Sequence, residues 1–491
     1  MIQGLSGHDN FRRALNEYLK KYAYSSASGD DLWRTIESHS HLEKNVSILD
    51  IAAAWTTQTG YPLVTVSLDT KNNILVLHNQ TRFIYLQDAR ATVDSTRWSI
   101  PLQYITDVMN SSQVCWMNTD SAQAVQVQLE GSPKWVIVNS GSLSFIRVLY
   151  HNSIYKALRE QLYANHTAIQ AIDRAIILND AFSFVKAGYL RVDMFLDLIG
   201  YIEHSGEKER APLYIIIGSM RSVLRILVDS PNYELLQDYL RSLILPIYTK
   251  FGWNEQQDHV RRQLQGDILS FACQLRINDC IREAKARFNR WMEDSNSVST
   301  DVLPFVLEEG VRHGSVHDWN IVFRRYIAAK TPSLKFMLLG TLAASENIQL
   351  IYRFLNLCMN PSVIRPNLLA KAFESLLRNP VANLHAWRYF RMNYDYFSNV
   401  IGLSTTMLGT TVRIMTEAFS SETDYNEVSH FFEAKYLGPS RAKVDQSLET
   451  IRLNIQWRQL NEETLGKWVK RWKESRQTVQ LVNSHNGYRA E

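Results

Sequence analysis

Glycine is scarce in this chain, 20 of 491 residues against a usual share of about 7%, and the scarcity removes the pliable loops that wrap a phosphate. Neither a Walker motif nor a dinucleotide-binding glycine fingerprint occurs. The four cysteines, Cys115, Cys273, Cys280 and Cys358, are too few for a disulfide framework and wrongly spaced for a zinc knuckle. No run approaches the ~20 uninterrupted apolar residues of a membrane helix, and Met1 to His8 shows neither the basic start nor the apolar run of a secretory signal. An excess of one charge is missing too: 53 basic and 49 acidic residues leave +4, with the signs interspersed, so there is no electrostatic footprint for nucleic acid. Two catalytic signatures are absent as well. There is no Gly-x-Ser-x-Gly elbow, and no His-Glu-x-x-His, in which two imidazoles one helical turn apart hold zinc beside a glutamate base.

What is present is ordinary globular material, 45% hydrophobic and 21% charged, in a chain too long for one core. A prior of about 150 residues per domain predicts two to four units. From Asn10 to Ala23, steps of three and four place Phe11, Leu15, Tyr18, Leu19 and Tyr22 on one helical face. Capping boxes at Ser28 with Asp31 and at Ser47 with Asp50 start two more helices, the second stopped by Gly60 and Pro62. Three helices therefore open the chain, as a short domain over 1–61. Period-two alternation follows in LVTVSLDT and ILVLHNQTRF around Lys71-Asn72-Asn73, then in WSIPLQYIT, AVQVQLEG and KWVIVN. Residues 62–150 read as a small antiparallel β-sandwich, with Pro101 at an edge or bulge.

After Ser153 strand signals almost vanish. Ile169, Ile172 and Ile176; Leu236, Leu240, Leu243 and Ile247; Leu264, Ile268 and Phe271; and Cys280, Ala284, Phe288 and Trp291 all step by three or four. Helices that each bury one stripe, repeated over 151–491 without a strict sequence repeat, predict stacked hairpins of the HEAT or armadillo solenoid type. The fold class is thus mainly α, with a helical start, a sandwich, a large helical solenoid and a fraying polar tail over the last eleven residues.

These blocks, in this order, resemble the C-terminal half of the aminopeptidase N-type (gluzincin) zinc metallopeptidases. FRRALNEYLKKYAYSSASGDDLWRTIE resembles the closing helices of that family's thermolysin-like domain, and WTTQTGYPLVTV its passage into the sandwich. Gln80-Thr81-Arg82-Phe83 and Trp98-Ser99-Ile100-Pro101-Leu102 resemble its sandwich signatures, while RAIILNDAFSFVKAG, KFGWNEQQDHVRRQLQGDILSFACQLRINDC and IRLNIQW, ending at Trp457, follow the order of its helical domain. The resemblance spans nearly the whole chain. The family's zinc ligands, substrate-amine motif and transition-state tyrosine match no residue here, so no catalytic or metal residue is carried over. Ser144-Phe145-Ile146-Arg147-Val148 stands where the family usually reads Gly-Tyr-Tyr-Arg-Val, and Ala344 stands at one place of a second cysteine pair.

The resemblance implies a disulfide between Cys273 and Cys280. On one continuous helix their seven-residue spacing would leave the Cα atoms about 10 Å apart, beyond bridging distance, so the helix must break, with Ile277-Asn278-Asp279 offering the break and Asn278 or Asp279 the next cap. In an oxidising compartment the pair is bridged; otherwise it is two buried thiols. Sequons at Asn45, Asn79, Asn110 and Asn165 mark possible glycosylation sites, in a number close to chance. His313 and His317 have the one-turn spacing of a metal pair, but Gly314 and Ser315 between them favour a polar loop. His39, His41 and Glu43 lack the cysteines of a deaminase site and read as solvated helix-end residues. Trp387, Tyr389, Phe390, Tyr394, Tyr396 and Phe397 could line a peptide groove, though aromatics at helical spacing are more often core.

Two functions follow from the resemblance. In the first, the chain is the C-terminal portion of a zinc aminopeptidase, capping the active site and binding peptide while the zinc and the chemistry belong to residues outside it. In the second, it is a stand-alone non-catalytic module that holds a peptide, a catalytic aminopeptidase domain or a second subunit. An apolar face left on the opening helices by Phe11, Tyr18, Tyr22 or Trp33 favours the first, and a polar face the second. The resemblance also implies a membrane-anchored, extracellular or endoplasmic-reticulum setting.

Overall fold

A computed structural model describes residues 1–41, 46–85, 96–119, 124–402 and 405–487. They divide into two compact units, Met1–Leu190 with Met194–Tyr201, and Arg191–Asp193 with Ile202–Glu491.

The first unit opens with four helices rather than three: α1 (Ile2–Ser6), α2 (His8–Lys21), α3 (Gly29–Ser38) and α4 (Ile48–Thr57). Gly7, at φ +80°, turns the chain between α1 and α2, a conformation glycine adopts without penalty. At α3 the Ser28 side chain accepts from the Asp31 N–H while Asp31 accepts from the Ser28 N–H, closing a reciprocal cap. At α4 the Ser47 side chain accepts from the Asp50 N–H. Ala14, Ile36 and Ile48 form a small core against which Ile2, Phe11, Leu32 and Trp33 pack.

The sandwich comprises β1 (Pro62–Asp69), β2 (Ile74–Arg82), β3 (Ile100–Thr106), β4 (Gln113–Met117), β5 (Val125–Gln128), β6 (Val136–Val138) and β7 (Arg147–Tyr150). One sheet has the order β5-β2-β1-β7 and the other β4-β3-β6. The sandwich is antiparallel as expected save for one pair, in which β7 runs parallel to β1 with Leu63 opposite Arg147 and Val66 opposite Tyr150. Its cause is a crossing between sheets after β6, through Asn139, Gly141 and Ser142 at positive φ, which does not oblige the arriving strand to oppose its neighbour. The sheets are tied by buried polar groups. Gln80 donates to the Trp98 carbonyl at 2.8 Å and accepts from the Trp98 N–H at 2.9 Å, and the Tyr150 hydroxyl meets both the N–H and the carbonyl of Val138. Pro101 lies in the middle strand, but β6 pairs with β3 only from Tyr104 to Thr106, so at Pro101 the strand is locally an edge.

Helices α5 (Asn152–Asn165), α6 (Ala171–Ala187) and α7 (Val192–Ile199) follow. The boundary expected at residue 150 falls inside the first compact unit, because α6 is bolted to the sandwich by two buried carboxylates. Asp173 accepts from the Ser140 hydroxyl at 2.9 Å and the Gly141 N–H at 2.7 Å; Asp180 accepts from Arg147 at 2.8 Å and the Val148 N–H at 2.9 Å. These acids set the rotation of α6, and the ladder of Ile169, Ile172 and Ile176 is misphased: Ile172 is 43% exposed while Asp173, Arg174, Ala175, Ile177 and Leu178 are buried.

The second unit is wholly helical among its described residues. Its helices are α8 (Ile202–Ser205), α9 (Arg210–Ile226), α10 (Tyr233–Phe251), α11 (His259–Gln274), α12 (Asn278–Glu293), α13 (Leu303–Arg312), α14 (Val316–Ala328), α15 (Pro332–Leu342), α16 (Ile348–Cys358), α17 (Leu369–Leu377), α18 (Ala382–Met392), α19 (Tyr394–Ile401), α20 (Met407–Thr416), α21 (Glu422–Glu433) and α22 (Arg441–Gly487). The stripes expected on α10, α11 and α12 are buried as the spacing predicts. One row runs α9, α11, α13, α15, α17, α20, each packing on the next, and α10, α12, α14, α16 and α18 alternate with it. α22, helical to Gly487 where a fraying tail was expected, packs on α20 and then on α10, returning the end of the row to its beginning. Trp468 and Trp472 of α22 hold Tyr239 of α10 edge-on at 4.8 and 5.2 Å. Gly466 is demanded at this crossing, since a Cβ there would lie 2.5 Å from Asn232. Lys473 pairs with Asp238 and Arg458 with Asp229, each at 2.9 Å.

Candidate functional site

Helices α9, α11 and α13 frame a cleft of about 280 Å³ lined by Arg210, Arg262, Gln263, Gly266, Asp267, Asp301, Pro304 and Phe305. Asp258 starts α11 by accepting from the Arg261 N–H, and the helical period then carries Arg262, Gly266 and Asp267 along one side. The charges are paired: Arg210 with Asp267 at 3.0 Å and Arg262 with Asp301 at 3.1 Å. Nearby on α9, Arg221 donates to Gln274 at 2.9 Å and to the Ser270 hydroxyl at 2.8 Å, over the Phe271 ring. Burial lowers its pKa while Asp267 and Glu308 oppose the shift, and a guanidinium so held stays charged at neutral pH. Alternating charges and amides around one aromatic suit a polar, extended ligand. No nucleophile with an adjacent base lines the cleft.

A second, open groove of about 1150 Å³ runs along α2, lined by Asp9, Arg12, Arg13, Asn16, Glu17, Lys20, Lys21 and His39. Its surface is charged. On the apolar side of the same helix, Phe11 packs, with Trp33 of α3, against the small core of the first four helices, the Tyr18 and Tyr22 rings meet at a tilt 5.2 Å apart, and Leu19 is left 67% exposed.

Cys273 and Cys280 come together with Cα atoms 5.2 Å apart and their sulfurs bonded. The helix breaks one turn earlier than Asn278, at Leu275 and Arg276, the latter at φ +59°, and the next helix is led in by Ile277 without a side-chain cap, not by Asn278 or Asp279. Cys115 and Cys358 are free, with burial pushing the Cys115 thiol up to about 11 and the Cys358 thiol up to about 12. Neither is a nucleophile at neutral pH. Asn45 and Glu43 lie outside the described residues; Asn79 is within β2, Asn110 is exposed in the β3–β4 turn, and Asn165 is exposed at the end of α5.

His313 ends α13 and its Nε2 faces Glu309 at 3.3 Å, whereas His317 lies in the first turn of α14, after the Ser315 cap. His39 ends α3 and bridges to Glu17 of α2 at 3.1 Å. No three His, Cys, Asp or Glu side chains among the described residues converge to hold a metal, so these residues do not fit the zinc of the resembling peptidases. Trp387, Phe390, Tyr394 and Phe397 are buried, and the half-buried Tyr389 and Tyr396 direct their hydroxyls to Asn356 and the Met359 carbonyl, each at 2.7 Å. This stretch is core.

The match to known proteins is broad. The family model described as the ERAP1-like C-terminal domain covers residues 135–453, well over half of the chain. The chain belongs to the ERAP1-like C-terminal domain family. Among individual relatives it is 26% identical over 489 residues to the thyrotropin-releasing hormone-degrading ectoenzyme of Rattus norvegicus, covering 96% of this chain and 45% of that protein. To the glutamyl aminopeptidase of Bos taurus it is 27% identical over 480 residues, covering 95% of this chain and 48% of the relative. The chain spans about half the length of the curated relatives it matches, and corresponds to the C-terminal half of these aminopeptidases.

Sequence reasoning missed the two carboxylates of α6 and a set of tryptophan–arginine stacks in the family domain. Arg287 lies over Trp253 at 4.8 Å, Arg325 over Trp291 at 3.9 Å and Arg353 over Trp319 at 4.6 Å. Each arginine follows its tryptophan by about 34 residues, one hairpin later, and that recurring interval was the signal available.

Proposed function

We propose that this chain supplies the peptide-binding frame and cap of an aminopeptidase whose zinc centre is carried by residues outside these 491. The observation that carries the reading is the match over 96% of the chain to 45% of an aminopeptidase-type relative, with no zinc motif in these 491 residues and no fitting donor set among the described ones. In this reading the helical unit, a closed variant of the HEAT or armadillo stack, shields a reaction from water and limits which peptides reach it. The α9–α11–α13 cleft contacts the part of a peptide remote from the scissile bond, with its ion pairs open to exchange for ligand charges. Cys273 and Cys280 form a disulfide in cells, a bond that accords with a relative named an ectoenzyme.

The test is twofold. The purified 491-residue chain is expected to leave amino-acyl amides intact while binding unstructured peptides, with Arg262→Ala and Arg210→Ala, both in the lining of the cleft, weakening that binding at least fivefold. Stoichiometric zinc together with turnover would overturn the proposal. A second reading, a stand-alone binding module, is favoured by one feature: the residues that line the groove along α2 are all polar or charged. Added catalytic half of an aminopeptidase separates the two, since the first reading expects a complex with restored turnover and the second expects peptide binding without one.

A further inference from the structure

The four Asn-x-Ser/Thr sequons differ in what their hydroxyl groups do, and one is arranged as an acceptor. Ser47, of the Asn45 sequon, is committed to the N-terminus of α4, where it accepts from the Asp50 N–H. Ser112, of the Asn110 sequon, is held by the Gln103 side chain. Gln80, the middle residue of the Asn79 sequon, is buried and joined to Trp98 through both its amide atoms, which holds that sequon in the extended backbone of β2. In Asn165-His166-Thr167 the hydroxyl is instead directed back at the asparagine: Thr167 Oγ1 donates to Asn165 Oδ1 at 2.6 Å, and the Thr167 N–H donates to the same oxygen at 3.1 Å.

Asn165 is exposed and stands where α5 ends and a short 3₁₀ turn begins. Its carbonyl accepts from Gln161 at 2.9 Å, and Arg174 donates to the carbonyls of His166 and Ile169, so the turn is fixed from below. Both oxygens of Asn165 are engaged, while among the described residues its Nδ2 donates to nothing and has solvent around it. A capping role needs only the oxygen, which Asp or Ser would supply equally. The free amide nitrogen and the hydroxyl two residues on are what glycosylation adds to that requirement.

We propose that Asn165 is an N-glycosylation site of this chain. In the reaction Nδ2 bonds to the anomeric carbon of an oligosaccharide carried on a polyprenyl pyrophosphate. The carbon–oxygen bond to the pyrophosphate breaks, that group leaves with the electron pair, and Nδ2 gives up one proton; an oligosaccharyltransferase supplies donor and catalysis. The inference does not depend on the aminopeptidase reading, because a binding module in the same compartment would carry the same glycan.

The full chain, secreted from a eukaryotic cell behind a cleavable signal, is mapped peptide by peptide with and without an amide-cleaving glycosidase. Asn165 is expected to be occupied in most molecules, to be empty in both Asn165→Gln and Thr167→Ala, and to keep part of its glycan in Thr167→Ser. Mapping the unsubstituted chain keeps the proposal testable even if a variant fails to fold. An unmodified Asn165, whether or not another asparagine is occupied, overturns it.

Discussion

Asp180 shows how one side chain can set the pH response of the first unit. Burial raises its pKa from 3.8 to about 6, against the opposing effect of Arg147 and the Val148 N–H. A carboxyl whose pKa is higher folded than unfolded binds an extra proton in the native state, so its contribution is full below pH 4 and is lost as pH rises through 6. That difference corresponds to about 3 kcal/mol. Denaturant midpoints of the first unit, followed between pH 4 and 7, are expected to fall over that window, and Asp180→Asn is expected to flatten the fall. In the second unit Trp319 is fully buried, donates to the Leu342 carbonyl at 3.0 Å and carries Arg353 on its face. Trp319→Ala is expected to cost about 3–5 kcal/mol, read as a lowered denaturant midpoint. Asp180 does not stand out in the sequence: a buried Asp is written like a solvated one, and only its distant partners distinguish it.

Elements were legible where one face was apolar and the other was not. The α12 stripe of Cys280, Ala284, Phe288 and Trp291 coincides with the buried residues of that helix, while α6, which buries Asp173, Arg174 and Asp180 among its apolar residues, gave periodicity nothing to phase. β4, whose burial passes from exposed to buried without alternating, offered no period-two signal, and the four residues of β7 follow an irregular crossing with no turn signature of a hairpin. The resemblance drew attention to the cysteine pair, and the positive φ of Arg276 that lets it close had no sequence signature. The bridge encloses a short loop, and loop-closure entropy puts its contribution at about 2.5 kcal/mol; a thiol reductant is expected to lower the melting temperature by a few degrees, as is Cys273→Ser with Cys280→Ser. Close packing of α12 on α13 depends on Gly310, where a Cβ would lie 2.1 Å from the Phe288 ring. Gly310→Ala is expected to destabilise the helical unit by about 1–3 kcal/mol, whereas Gly218→Ala, with open space around its Cβ, is expected to be neutral or stabilising.

For the molecule as a whole, the family and the order of its parts were readable from short runs spread over the chain, because buried signatures such as Trp98 and Trp457 are held by packing. The cleft was not readable, since its lining comes from helices whose charged residues look like any solvated face. The return of α22 to α10 was equally hidden, as it joins residues more than 220 positions apart. That return changes how the helical unit can deform. Hairpins stacked in a row with two loose ends yield pair by pair; with one long helix packed against both ends, the same row resists being drawn out at any single pair. Drawing the row apart therefore has to part the seam between Tyr239 and the paired tryptophans, and Tyr239→Ala is expected to speed amide hydrogen exchange in helices of the unit remote from that seam.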